Sequence, residues 1–353
     1  MPEEKKIPLR FLAAPLAFAF ICIIYFAFDF YLQTKEKQVR ADFERKFPAD
    51  LRLREANHSA NALPGFAFKI GISIQTGQVL APPPEFSETS AKFMKVWDEL
   101  NHYVKAEALT AGPPVGVPEQ TKKFLQNSES GFQSIMQFLV KEDSPRWRED
   151  PRVESNFIPV LIAVIRVHHM LAAYALYSLE NSQPKESEQA LMACWKLNES
   201  LRSRREPIAI VVAIKCSTIQ TGLLKKLPVV PASLRQQMRS LDYRKNLMDA
   251  LVLESGRVFD TLNDQSQRRE FMSMKFGRLP DWLKPPAFAI LDPYIRLSRV
   301  NFLSTEMELL EELRKGKTVR VSASESGLFS FYAHDYDTIN TTLLEFEKMR
   351  SRL

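Results

Sequence analysis

The longest unbroken apolar pattern lies at the start of the chain. From Phe11 to Phe28 (FLAAPLAFAFICIIYFAF), 18 residues pass without a charge, between Arg10 and Asp29. With Leu9 and the Phe30-Tyr31-Leu32 tail the stretch reaches about 24 residues, or about 36 Å as a helix. That exceeds the ~30 Å hydrocarbon core of a bilayer. Tyr25 and Tyr31 stand toward the far end, where amphipathic rings favour the headgroup level. Pro15 falls within the second turn, where a spanning helix tolerates it. Residues 11–32 therefore read as a transmembrane anchor after a tail of residues 1–10. The competing reading is a cleaved signal peptide, whose apolar core runs about 7–15 residues and ends in small residues. Here the exit is Tyr25-Phe26-Ala27-Phe28-Asp29, and Cys22 has no lipobox-like context, so the anchor is expected to stay.

Beyond the anchor the rhythm changes. Residues 33–60 are polar and helix-prone, interrupted at Pro48, and read as a juxtamembrane helix or stalk. Phe66, Phe68, Ile70, Ile72 and Ile74 then alternate with Ala67, Lys69, Gly71 and Ser73, and this period of two predicts a half-buried strand. Gln75-Thr76-Gly77-Gln78 reads as a turn into a short Val79-Leu80 return strand, and Pro82-Pro83-Pro84 ends it. Residues 61–86 are thus expected to form a β-hairpin and a proline-rich linker.

From Ser87 the spacing becomes helical, and 87–316 reads as a helical body. Helices are predicted near 88–109, 119–141, 157–181, 185–205, 207–227, 232–240, 243–276 and 287–315. Pro118, Pro184, Pro207 and Pro231 each fall at a first helical turn, where a missing N–H costs little. Leu247, Leu251, Val258 and Leu262 form one apolar stripe; Leu291, Ile295, Phe302, Leu310 and Leu313 form another. In 317–353, Val319, Val321 and Ala323 alternate, Gly327–Tyr332 reads as a second short strand, and Tyr336–Met349 as a terminal helix. The predicted fold is mainly α: an N-terminal transmembrane helix, a helical-hairpin body, and a small β element pairing Phe66–Ile74 with the C-terminal strands.

Two later apolar runs qualify this picture. Phe157–Leu179 is long enough to span a membrane but carries Arg166, His168 and His169 at its centre, and a central Arg alone costs about 2.5–3.5 kcal/mol on the insertion scale. Ile208–Ile214 is too short before Lys215. Both are expected to be buried core helices.

Composition narrows the class. The chain has 353 residues with Gly 11, Pro 22 and Cys 3, which excludes collagen-like, low-complexity and disulfide-scaffold proteins. A net charge of +6, with acids interspersed among bases, makes no case for nucleic acid. Lys5, Lys6 and Arg10 precede the anchor, whereas Lys35, Lys37, Arg40, Arg45 and Lys46 follow it, so the flanking charges do not favour an N-in arrangement. A lone N-terminal anchor before a long body nonetheless acts commonly as a signal-anchor, which would place the body outside the cytoplasm. The five bases after the anchor are positioned to meet anionic headgroups.

Candidate chemistry is sparse. Cys194 and Cys216 fall on neighbouring helices and read as two small buried hydrophobes, or as a disulfide if the body is extracytoplasmic. There is no C-x-x-C, H-E-x-x-H, G-x-S-x-G, Walker-type or G-x-G-x-x-G motif. Adjacent His168 and His169 point about 100° apart on a helix, cannot share a metal as i,i+4 histidines do, and read as a polar seam of the core with Arg166. His334-Asp335-Tyr336-Asp337 is the densest ligand-like cluster, with an Asp placed to cap a helix. Glu306, Glu308, Glu311 and Glu312 read as an exposed helix face, and the short runs at Arg202, Arg204 and Arg205 and at Lys225 and Lys226 as helix-end charges. Asn57, Asn198 and Asn340 match the glycosylation acceptor pattern. No catalytic, cofactor-binding or metal-binding residue is assigned.

Leu171–Pro207 resembles one helical hairpin of tetratricopeptide type: Tyr174, Ser178, Ala190, Cys194 and Leu197 fall near that repeat's packing positions. The motif's glycine is absent, and no second copy follows at a period of about 34 residues. The whole layout resembles uncharacterised bacterial single-pass membrane proteins with a short tail, an anchor and a large helical body. That resemblance implies architecture and location only. The expected function is a membrane-anchored interaction or scaffold protein of the cell envelope, with a protein partner and no cofactor. The alternative is a membrane-tethered enzyme, for instance a hydrolase, built around His168 and His169 or around His334–Asp337.

Overall fold

The computed structural model describes residues 9–74, 83–150, 158–261, 284–316 and 336–351. Among them the regular elements are helices: α1 (Leu9–Lys46), α2 (His58–Phe68), α3 (Ser87–Leu109), α4 (Glu119–Asn127), α5 (Glu129–Lys141), α6 (Ile158–Glu180), α7 (Pro184–Arg202), α8 (Pro207–Leu224), α9 (Ala232–Arg239), α10 (Tyr243–Thr261), α11 (Lys284–Arg314) and α12 (Tyr336–Arg350), with a 3-10 turn at Pro84–Phe86. Pairing of extended backbone is limited, among the described residues, to one antiparallel bridge between Arg54 and Glu149. The helices divide between two units. One holds α1, the last turns of α10 from Ser255, and α11; the other runs from Asp50 to Glu254 and includes α12.

The larger unit is organised around α6. Every residue from Val167 to Ser178 is buried, and α3, α4, α5, α7 and α8 pack around it. A helix apolar all round has no stable place in water except inside a protein or a bilayer. The α6–α7 hairpin turns tightly: the Ser182 N–H donates to Leu179 O (3.1 Å) and the Gln183 N–H to Ser178 O (2.8 Å). This double closure places Ser182 in the left-handed region at φ 59, a position that glycine fills most readily. Pro184 and Pro207 open α7 and α8, where a helix needs no donor. α3 and α8 approach so closely at Gly222 that a Cβ there would stand 2.0 Å from the Ala108 carbonyl oxygen.

The strand expected at Phe66–Ile74 is a helix followed by a turn. Asn57 caps α2 by accepting from the Ala60 N–H (3.0 Å), and Ala60, Leu63, Ala67 and Ile70 are buried at helical spacing. Phe66 and Phe68, which helped suggest a strand, are only half-buried beside this spacing, and Pro64 and Gly65 masked the period. The alternation persists only where Ile72 and Ile74 are buried after the turn, with no strand partner among the described residues. The expected Val79–Leu80 strand, the C-terminal strands and residues 262–276 of the long predicted helix lie outside the described residues. The predicted helix at 119–141 is two helices, broken at Ser128.

Charges tie down the start of this unit. The Arg205 backbone N–H and Nε donate to the Glu149 carboxylate at 2.7 and 2.9 Å, and its other nitrogens reach the Asp50 and Arg52 carbonyls. Arg204 bonds Glu206 at 2.6 Å and the Arg148 carbonyl at 3.2 Å. Arg204, Arg205 and Glu149 are all buried. The arginines that looked like helix-end charges are therefore the clasp that holds segment 50–57 against 146–149.

In the smaller unit α1 is one continuous helix, so anchor and stalk are not separate elements. Leu32, Glu36, Val39, Phe43 and Phe47 form its buried seam, at the three-and-four spacing of a helix packed lengthwise on another. The partner is α11. Asp29 pairs with Arg296 (3.2 Å), Glu36 with Arg299, and Lys46 with Glu311 (2.7 Å). Partners rise together along both helices, so the two run parallel.

Candidate functional site

The surface that most needs explaining is the first half of α1. Phe20, Ile21, Ile23, Ile24, Phe26, Phe28, Phe30 and Tyr31 are exposed, with Phe30 at 71% and Phe26 at 68%. From Leu32, 1% exposed, the same helix turns one face into protein. Scattered exposed apolar side chains are ordinary, but eight within twelve positions around a helix form a continuous apolar sleeve.

Below the sleeve the charges are largely matched. Arg299 is fully buried against Glu36, with its guanidinium 4.7 Å from the centre of the Phe259 ring. Arg40 approaches the same ring at 5.6 Å and pairs with Glu44 (2.8 Å) and Asp260 (2.9 Å). Arg45 pairs with Asp42, and Lys46 with Glu311. Of the five bases expected to meet headgroups, Arg40, Arg45 and Lys46 thus have acidic partners within the protein. Glu306, expected on an exposed face, is 2% exposed and accepts from the Ser255 hydroxyl at 2.9 Å.

The histidine pair lies in the core of the larger unit. His168 is 1% exposed, and neither of its ring nitrogens has a hydrogen-bond partner among the described residues. His169 is 4% exposed; its Nδ1–H donates to the Ile165 carbonyl at 2.8 Å and its ring meets Trp97 edge-on at 5.9 Å. Burial pulls His168 down to about 3. It pulls His169 down to about 4, opposed by the Ile165 hydrogen bond and helped by the nearby Lys105 charge. Both are neutral at physiological pH. Arg166, expected in the same seam, lies instead over the Trp97 ring at 5.6 Å.

Cys194 and Cys216 are buried free thiols. Burial raises both, Cys216 to about 12, so neither supplies a thiolate. His334 and Asp335 lie outside the described residues. Asn198 is buried, and its amide donates to Ala213 O (2.9 Å) and Ser217 Oγ (2.8 Å), which removes it as a surface acceptor for sugar. Asn57 is committed to its cap and to Ser144 O at 3.0 Å.

No family model, curated protein or solved structure matches this chain. At Leu171–Pro207 the structure shows a helical hairpin, and no tetratricopeptide relationship is supported.

Sequence reasoning missed two arrangements. The first is the buried pair Lys226–Glu107 (2.8 Å); Lys226 also reaches Thr110 Oγ1 (3.2 Å) and Gly112 O (3.3 Å), which pins the loop after α3. The second is a pocket of about 230 Å³ between the start of α10 and α12. Its charges are engaged within the protein: Arg350 donates to Leu241 O, Arg244 faces Glu347 at 3.9 Å, and Asp242 accepts from the Lys245 N–H at 3.1 Å. Neither arrangement has a local sequence signal, because each joins residues distant along the chain. Two helices, α6 and α8, are long and apolar enough to cross a membrane by length and composition, but both are mostly buried inside the larger unit.

Proposed function

We propose that this chain is a membrane-anchored helical interaction protein of the cell envelope that acts by binding rather than catalysis. The observation that carries the reading is the exposed apolar sleeve of α1 on a helix whose continuation is buried. At about 25 cal/mol per Å² of apolar surface, such a sleeve favours transfer into lipid, and a helix satisfies its own backbone there. A single pass is the reading favoured by α6 and α8, which spend most of their apolar surface in the protein core. Lys35 and Lys37, just beyond the sleeve, are the bases best placed for anionic headgroups. The signal-anchor orientation places the body outside the cytoplasm.

Binding is favoured over catalysis by the character of the candidate polar groups. The histidine pair is dry and neutral, and the buried arginines and lysine are committed to carboxylates and carbonyls. A helical body of this kind suits recognition of a partner protein.

Membrane fractionation tests the anchor: the full chain should stay in the pellet after alkaline carbonate washing, and release into the wash would refute it. Orientation is read by labelling single cysteines engineered in 341–351 with an impermeant thiol reagent on intact cells. Labelling before lysis is expected; labelling only after lysis would put the body in the cytoplasm. Crosslinking in native membranes should recover one reproducible protein partner, and recovery of chance contaminants alone would remove the interaction reading.

A further inference from the structure

α7 and α8 run antiparallel, joined by the short turn at 203–206. Two buried side-chain amides fix their register. Asn198 on α7 donates to Ala213 O on α8 at 2.9 Å, and Gln220 on α8 donates to Leu191 O on α7 at 2.7 Å. One cysteine falls between these fixed points on each helix. Cys194 is about one turn from both Leu191 and Asn198, and Cys216 is about one turn from both Ala213 and Gln220. In an antiparallel pair the two positions stand opposite one another, on the faces that the amide bonds bring together. Ala209 and Ala213, both fully buried, line the same face of α8, so the two backbones can approach closely. The electrostatics agree with this placement: burial, and after it the neighbouring Cys216, push the Cys194 thiol up. The Cys194 thiol donates to the His168 carbonyl at 3.5 Å, a weak bond that a disulfide sulfur forgoes at little cost.

We infer that Cys194 and Cys216 are a disulfide-forming pair, joined while the larger unit folds. The inference rests on the proposed placement of the body outside the cytoplasm, since such a bond forms and persists in an oxidising compartment. A disulfide needs a Cα separation of about 4.4–6.8 Å, which facing positions at an alanine-lined crossing are placed to meet. The oxidant is a disulfide of that compartment, carried by a thiol–disulfide oxidoreductase or by a small thiol. One cysteine thiolate attacks it, forming a mixed disulfide and expelling one thiolate. The second cysteine thiolate then attacks the mixed disulfide and expels the other. The two cysteine protons end on the two expelled thiols, and the two electrons lost by the cysteines reduce the oxidant. The step belongs to the folding chain, because in the finished core both thiols are buried and held protonated. The same sealing protects the finished bond from thiol reductants.

The test counts thiols in native membranes, in the full chain with Cys22→Ser so that only this pair is read. Membranes are quenched in acid, denatured, and treated with a maleimide of high mass, with and without prior reduction. A non-reducing digest is read by mass spectrometry. The expected result is no tag before reduction and two tags after it, with Cys194 and Cys216 recovered in one linked peptide pair. The linked pair should be lighter by two hydrogens than its separate peptides. Impermeant labelling of the cysteines engineered in 341–351 is measured beside it. If those labels place the body outside the cytoplasm while two tags are added without reduction, the disulfide inference fails and the envelope reading stands. If they place the body in the cytoplasm, the orientation reading fails and takes this inference with it.

Discussion

α1 and α6 are both long apolar helices, and their fates in the structure are opposite. In the apolar half of α1 most side chains from Phe20 to Tyr31 are exposed, whereas α6 is buried on all sides from Val167 to Ser178. The difference lies in what stands around them. α6 carries His168 and His169 and is enclosed by five other helices, so its apolar surface is satisfied by protein. α1 has one lengthwise neighbour, α11, which can cover only a seam. The apolar surface of α6 is covered by its five neighbours, whereas that of α1 is left exposed outside its seam.

The largest expected effect comes from placing the same charge in both helices. Ile21→Arg with Ile24→Arg adds about 2.5–3.5 kcal/mol of insertion cost per residue, and should move the chain out of the carbonate-resistant pellet while the larger unit unfolds at an unchanged temperature. Val164→Arg in α6 should do the reverse, abolishing cooperative unfolding of the larger unit while membrane association persists. Circular dichroism and fractionation read both arms; if the two variants behave alike, the contrast between the helices is wrong.

Next in size are the buried ion pairs. Glu149→Ala leaves Arg204 and Arg205 without their shared carboxylate, and Glu36→Ala removes the carboxylate that faces buried Arg299. Each should cost about 3–5 kcal/mol in urea unfolding, the first in the larger unit and the second in the smaller. A loss below 1 kcal/mol at either site would mean that its arginine reaches water.

The histidine pair gives the larger unit a pH dependence of its own. Both groups titrate lower in the folded protein than their ordinary 6.5, so the unfolded chain takes up protons first as pH falls. Their stabilisation is complete above pH 6.5 and is lost progressively toward pH 3–4, at up to about 1.4 kcal/mol per pH unit for each histidine. His168→Leu should flatten the stability profile between pH 6.5 and 4, and an unchanged profile would show that the ring is hydrated.

Two backbone positions carry smaller effects of opposite sign. Gly222→Ala forces α8 away from the Ala108 carbonyl and should cost about 1–3 kcal/mol. Ser182→Gly relieves a left-handed residue at the α6–α7 turn and should stabilise by about 1 kcal/mol. Thermal melts that fail to separate these two variants would contradict the close approach, the turn, or both.

Much of the helical layout was legible because its signals are local. Pro184 and Pro207 open α7 and α8, and the apolar runs at α6 and α8 carry polar residues that argue against spanning. The buried charges were illegible for the opposite reason. Arg204 and Arg205 read as helix-end charges until Glu149, from another segment, is brought beside them. Glu306 reads as solvated until Ser255 stands against it. The strand expected at Phe66–Ile74 failed because its alternating Phe and Ile outweighed the quieter helical spacing of Ala60, Leu63 and Ala67.

The sequence by itself determined that the chain is mainly helical, where several helices start, and that an uncharged stretch of membrane-spanning length lies at residues 11–28. Periodicity, caps and charge-free length are properties of neighbours along the chain. Only the tertiary structure decided which apolar helix is a core and which is a sleeve, that His168 and His169 are sealed and neutral, and that α11 runs parallel to α1. Each of those depends on which distant residues exclude water from a side chain, and burial is a property of the assembled fold.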